Sequence, residues 1–103
     1  MKLVLIGHGH YASGVASAVA MLSGNEEAVS YVDFTSVISP DEFESRLRDI
    51  AECGEEVVII CDLVGGTPYN RACMIAHESA QVKVVAGMNL AAILEAVLSI
   101  EDG

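Results

Sequence analysis

Basic residues are scarce in this chain. Five Lys and Arg stand against fifteen Asp and Glu over 103 residues, a formal net charge of −10. That balance excludes nucleic acid as a partner, because phosphate backbones are gripped by Lys and Arg that this chain does not have. An acidic surface suits a basic protein partner, and it also keeps a small apolar domain soluble. Cysteine is scarce as well. Cys53, Cys61 and Cys73 are odd in number and form no C-x-x-C pair, so neither a disulfide framework nor a zinc site is indicated. Cys61 and Cys73 fall in apolar stretches and read as small core residues. Long hydrophobic runs are missing too: none approaches the roughly 20 residues that span a bilayer. The run that follows Met1-Lys2 is too short for a signal peptide and is cut by Gly7-His8-Gly9-His10. These features read as a cytoplasmic protein.

What is present is apolar material for one core. Hydrophobic residues make up 52% of the chain and the mean hydropathy is +0.47, which argues against disorder. At this length a single domain buries roughly 60–70% of its unfolded surface, and no second core can be built. There is no linker and no low-complexity segment.

Four units repeat one grammar of apolar run, turn and helix-periodic stretch. Lys2–Ile6 is a buried strand, and Val15, Ala16, Val19 and Leu22 mark a helix over Ala12–Ser23 that Gly24 stops. The second strand spans Ala28–Phe34. Ser39-Pro40-Asp41-Glu42 then reads as a capping box, opening a helix with Phe43, Leu47, Ile50 and Ala51 on its apolar face. The third strand is Glu56–Cys61. After it Thr67-Pro68 reads as a hydroxyl cap with proline at the first helical position, for a helix to about His77. The fourth strand is Val82–Ala86, and Asn89 caps a last helix to about Ser99. Alternation of this kind predicts an α/β fold: one three-layer domain with a parallel sheet in the order 2-1-3-4 and helices on both faces.

In such sheets, chemistry gathers at the carboxyl ends of the strands. Gly7-His8-Gly9-His10-Tyr11 follows the first strand, and Asp62-Leu63-Val64-Gly65-Gly66-Thr67-Pro68-Tyr69-Asn70 follows the third. His8 and Asp62 are thus candidates for one site, beside a glycine-rich helix start whose free N–H groups favour an anion. A histidine, a carboxylate and an anion cradle suit phosphoryl transfer through a phosphohistidine, the carboxylate fixing the imidazole tautomer. Neither G-x-x-x-x-G-K-[ST] nor G-x-G-x-x-G occurs, so the phosphate comes from another phosphoprotein and not from ATP. Taken singly, each element has a plainer reading. A histidine after a strand is most often a hydrogen-bonded structural residue, Gly65-Gly66-Thr67-Pro68 a turn and cap, and Asp62 a loop cap. His8 with His10 lacks a third metal ligand, since His77 lies toward the far end of its helix; no metal or other cofactor is expected.

The motifs together resemble the IIA components of mannose-family sugar phosphotransferase systems. Gly7-His8-Gly9-His10-Tyr11-Ala12-Ser13-Gly14 is similar to the family's S-H-G-x-[FL]-A-x-G segment. Asp62 to Asn70 is similar to D-[LT]-x-G-G-[ST]-P-x-N, and Gly87-Met88-Asn89-Leu90 with Ile93-Leu94 to G-x-N-[LI]-P-x-L. The resemblance covers essentially the whole chain, 1–103. It implies a phosphate on His8, taken from the phosphocarrier protein HPr and passed to a IIB subunit or domain, in a relay that serves a membrane IIC/IID sugar transporter. By the same match Asp62 orients the imidazole, Gly65, Gly66 and Thr67 hold the phosphoryl group, and His10 lies at the rim in reach of a partner. It also implies a cytoplasmic protein peripheral to a membrane complex. Gly7 stands where the family commonly has Ser, and Ala91 where it has Pro. The family's usual further helix and edge strand have no counterpart in this sequence. A homodimer is nonetheless expected, from the apolar edge of the fourth strand and from Leu90, Ile93, Leu94, Val97 and Leu98 of the last helix. Two alternatives stand beside this reading. One is the phosphotransferase-dependent subunit of a dihydroxyacetone kinase, whose second segment usually reads D-L-G-S-A. The other is a non-enzymatic α/β module for a small anion, which leaves the pairing of His8 with Asp62 unexplained.

Overall fold

A computed structural model describes residues 1–102. Strands and helices alternate as β1 (Lys2–His8), α1 (Tyr11–Ser23), β2 (Ser30–Phe34), α2 (Pro40–Ala51), β3 (Val57–Cys61), α3 (Gly66–Glu78), β4 (Val82–Ala86) and α4 (Leu90–Asp102). The four strands form one parallel sheet in the order β2-β1-β3-β4, as the alternation predicts. β1 and β3 are central, with Ile6 beside Cys61 and Gly7 beside Asp33 in register.

Side chains alternate across each strand, so β1 feeds two cores at once. Val4 and Ile6 join Phe43, Leu47 and Ala51 of α2 and Ala72 and Ile75 of α3 on one face. Leu3 and Leu5 join Ala12, Ala16 and Val19 of α1 and Ile93 and Val97 of α4 on the other. Each such aliphatic side chain taken from water contributes about 1.5–3 kcal/mol before entropy is counted. On the first face Arg71 reaches Asp41 at 2.9 Å and Glu44 at 2.8 Å, while Arg48 reaches Glu44 at 2.8 Å and Glu78 at 2.7 Å, tying α2 to α3. Hydrogen bonds from Arg71 and then Arg48 hold the Glu44 carboxyl below its ordinary range.

Most local signals act as expected. Gly24 closes α1 in the left-handed conformation (φ 72°), its N–H bonded to Ala20 C=O. The Ser39 hydroxyl accepts the Glu42 N–H at 3.0 Å, and the Glu42 carboxylate turns to Arg46 at 2.8 Å. Asn89 caps α4 by accepting the Ala92 N–H at 3.1 Å.

Several details differ from the sequence reading, and Ile93 and Val97, expected to face a second copy, are instead buried in the second core. Leu22 is 62% exposed because the core-facing stripe of α1 is carried by Ala12, Ala16 and Val19. β2 pairs only from Ser30, opposite Val4, so Ala28 and Val29 pack against the second core outside the ladder. α4 continues past Ser99 to Asp102. Thr67 is not the cap of α3: the helix starts at Gly66 with Gly65 as its cap and no side-chain cap bond. Consecutive positive φ angles at Gly65 (80°) and Gly66 (79°) make the turn two residues early. Pro68 then falls third in the helix, where its missing N–H is still one of the four with no partner to lose.

Phe43 is fully buried and meets Phe34 edge-on at 5.5 Å, and Phe34 in turn meets the His8 ring at 6.2 Å. Phe43→Ala is expected to cost about 3–5 kcal/mol in urea unfolding. A loss under 1 kcal/mol would show that this column of rings carries little of the core.

Candidate functional site

β1 runs two residues further than its neighbour β3, Gly7 and then His8. The side chain of His8 is 46% exposed at the carboxyl end of the sheet, while that of Asp62, directly after β3, is 10% exposed. One carboxylate oxygen of Asp62 takes two donors from the same residue: Oδ2 accepts the His8 backbone N–H at 3.0 Å and contacts ring Nδ1 at 2.9 Å. The other oxygen, Oδ1, accepts the Leu63 N–H at 2.9 Å and the Cys61 thiol at 3.4 Å. A carboxylate at Nδ1 favours the tautomer with the hydrogen on Nδ1 and leaves Nε2 with its lone pair free.

Partial burial works to raise the Asp62 pKa. It is outweighed by the His8 N–H and ring and by the Cys61 thiol, and the carboxyl lies below its ordinary range. Burial, joined by the carboxylate beside it, pushes the Cys61 thiol up to about 11. Cys61 therefore stays a neutral donor at physiological pH. The sequence reading took it as filler; its position one residue before Asp62 was the only available sign of a second role.

Glycines set the distances. An ideal Cβ on Gly7 would lie 3.0 Å from Asp62 Cγ, so a side chain there would require the carboxylate to give by a few tenths of an ångström. An ideal Cβ on Gly66 would lie 3.2 Å from both Cε1 and Nε2 of His8. Nε2, the ring nitrogen that Asp62 leaves free, thus sits over the backbone of the first residue of α3. Here the glycine reading of the sequence acquires a definite meaning: Gly66 is needed both for its φ and for the space above it. Thr67 follows in the same first turn, whose N–H groups have no helical partner.

His10 is brought near but is not part of this pair. It bonds instead to Asp33 of β2, Nδ1 to Oδ2 at 3.1 Å, and is 82% exposed. Asp33 Oδ1 accepts the Ser13 N–H at 3.0 Å, and Gly9 N–H bonds to Phe34 C=O at 2.8 Å. Asp33 and Phe34 were not singled out in the sequence, although an Asp near the end of a neighbouring strand repeats the placement of Asp62. His77 lies in the last turn of α3, at the opposite end from Gly66. No helix among the described residues is long and apolar enough to cross a membrane.

The lowered Asp62 pKa carries a sign. A carboxyl that ionises more easily when folded stabilises the protein above its unfolded pKa, and that contribution is lost as pH falls through the folded value. The stability difference between wild type and Asp62→Asn is therefore expected to shrink as the pH falls below about 5. A difference that stays flat in urea melts down to pH 2.5 would contradict the pairing.

Comparison with known proteins gives the same picture. Residues 2–102 match the family model described as the PTS system fructose IIA component. The chain is 32% identical to a sorbose-specific EIIA component of Lacticaseibacillus casei, covering 96% of this chain and 73% of that one. It is 30% identical to a fructose-specific EIIA component of Bacillus subtilis (strain 168), covering 99% and 71%. Among solved structures, a phosphotransferase system EIIA component from Streptococcus agalactiae superposes with a TM-score of 0.88 at 29% identity, covering 97% of this chain and 78% of that one. A mannose/sorbose-specific IIA subunit from Enterococcus faecalis does so with 0.85 at 35%, covering 95% and 76%. With its motifs in order along a matching fold, the chain belongs to the mannose family of IIA components of the sugar phosphotransferase system.

Proposed function

We propose that the protein carries a phosphoryl group on Nε2 of His8, accepting it from phosphorylated HPr and passing it to a IIB subunit or domain. The observation that carries this reading is the 2.9 Å contact of Nδ1 with Asp62, which leaves Nε2 as the nucleophile over the start of α3. Nε2 attacks phosphorus, its new P–N bond forming as the P–N bond to the donor's histidine breaks. Nδ1 keeps its proton throughout. The phosphorylated ring is then cationic, and the Asp62 carboxylate stabilises that charge without taking the proton. The phosphoryl oxygens are met by the free N–H groups at Gly65, Gly66 and Thr67, where the helix dipole favours negative charge. No nucleotide and no metal is needed, since the donor already holds an activated phosphoryl group.

The setting proposed with this chemistry is cytoplasmic, beside the membrane IIC/IID transporter that the relay serves. Association into a homodimer goes with it. Val85 of the edge strand β4 and Leu98 and Ile100 of α4 are exposed apolar side chains that a second copy would cover. Sedimentation at tens of micromolar is expected to show a dimer, and a monomer alone would remove that part.

The acceptor assignment is tested by incubation with phosphorylated HPr and measurement of acid-labile phosphate. Wild type and His10→Ala are expected to label to the same extent and His8→Ala not at all; full labelling of folded His8→Ala would overturn it. Asp62→Asn keeps the shape but turns an amide toward Nδ1. Its transfer is expected to slow by about a hundredfold or more with an unchanged circular dichroism spectrum, and near-normal transfer would remove Asp62 from the mechanism.

A further inference from the structure

Beside the site lies a second histidine–carboxylate pair that the phosphoryl chemistry leaves unused. His10 and Asp33 repeat the geometry of His8 and Asp62, with Nδ1 on a carboxylate oxygen at 3.1 Å. The two pairs differ in exposure. Asp33 is 15% exposed and His10 is 82% exposed, so the ring stands outward with its carboxylate behind it. Among the glycines of the described residues, only Gly66 lies against a histidine ring, and that ring is His8's.

Asp33 does two things with its two oxygens. Oδ1 accepts the Ser13 N–H, at the third position of α1, where His10 as the cap residue provides no side-chain bond of its own. Oδ2 takes the ring of His10. Ser13 Oγ bonds back to His10 C=O at 3.1 Å, so the Gly9-His10 turn that follows His8 is anchored on this flank, as Asp62 holds His8 itself. Among the described residues no Lys or Arg pairs with Asp33. Arg46 of α2 lines the same groove together with Asp49, but its guanidinium is engaged by Glu42 at 2.8 Å.

We propose that Asp33 is a positioning residue that acts through His10. It holds the neutral ring as the Nδ1–H tautomer, so that Nε2 points outward as a hydrogen-bond acceptor for a donor side chain, Lys or Arg, of the docking phosphoprotein. Two features favour a cationic donor there: the unneutralised charge of Asp33 behind the ring, and a chain of net charge −10. The contact lies on the rim of the site and adds to binding, not to the chemical step. The proposal rests on the reading of His8 as acceptor, and it names the recognition chemistry of that site.

Asp33→Asn separates the two duties. Asn Oδ1 still accepts the Ser13 N–H, while its amide now donates to Nδ1 and forces the hydrogen onto Nε2. At about pH 8.5, above the titration range of an ordinary imidazole, nitrogen-15 spectra of the ring are expected to show Nδ1–H for His10 in wild type and Nε2–H in Asp33→Asn. That measurement needs no phosphoryl transfer, and an unmoved tautomer overturns the proposal whether or not His8 is the acceptor. In transfer from phosphorylated HPr, His10→Ala is expected to raise KM about three- to tenfold with kcat within twofold. Asp33→Asn should raise KM at least as much, because two donors then face each other, and it should add nothing in the His10→Ala background. A KM that is unchanged in either single variant, that falls in Asp33→Asn, or that rises additively in the double variant overturns the proposal. Absence of label on wild-type His8 would instead strike the acceptor reading itself.

Discussion

The arrangement depends on one carboxylate oxygen. Asp62 Oδ2 receives both the backbone N–H and the ring nitrogen of His8, and through those two bonds the end of β1, the orientation of the imidazole and the choice of tautomer become a single constraint. Strand pairing brings the two residues together: β1 and β3 are adjacent and parallel, with Ile6 beside Cys61, so the chain leaves the sheet at His8 and Asp62 side by side. The absence of a side chain at Gly7 lets the carboxylate close to this distance. Satisfying Oδ1 with Leu63 N–H and the Cys61 thiol leaves Asp62 no unpaired lone pair that would draw it away.

Cost and function meet at the glycines. Gly65 and Gly66 both take positive φ, a conformation that other residues adopt only with strain, and neither contributes a packing side chain. What they provide is a helix start whose backbone lies under His8 Nε2. The stability that this turn does not supply comes from two cores, one on each face of the sheet, and from the Arg48 and Arg71 bonds that tie α2 to α3. The candidate site thus sits at the strand ends, while many of the acidic residues lie elsewhere. Glu26, Glu27, Glu52, Glu55, Glu56 and Glu78 fall in the connections and helix ends at the opposite pole of the sheet. Of the acids near the site, Asp33 and Asp62 are held by histidines and Asp41 and Glu42 by arginines.

The sequence by itself determined the order and kind of the elements, because hydrophobic period, caps and glycine stops are local signals. Gly24, Ser39 and Asn89 act where they stand, and the alternation of strand and helix leaves a parallel sheet as the way to bury every apolar face. It also marked His8, Asp62 and Gly65-Gly66-Thr67 as residues at strand ends. Only the tertiary structure decided their relation: that Oδ2 takes two bonds from His8, that Gly66 lies under Nε2, and that His10 turns away to Asp33. Asp33 carried no mark because its role arises from the register of β2 against β1, a pairing between residues more than twenty positions apart. Thr67 was misread for a related reason. A hydroxyl before proline is a valid local cap signal, yet two glycines already held at positive φ started the helix two residues sooner. Local chemistry fixes which residues can turn, cap or ionise; which partners they meet is fixed by the packing of distant strands, and catalytic geometry belongs to the second.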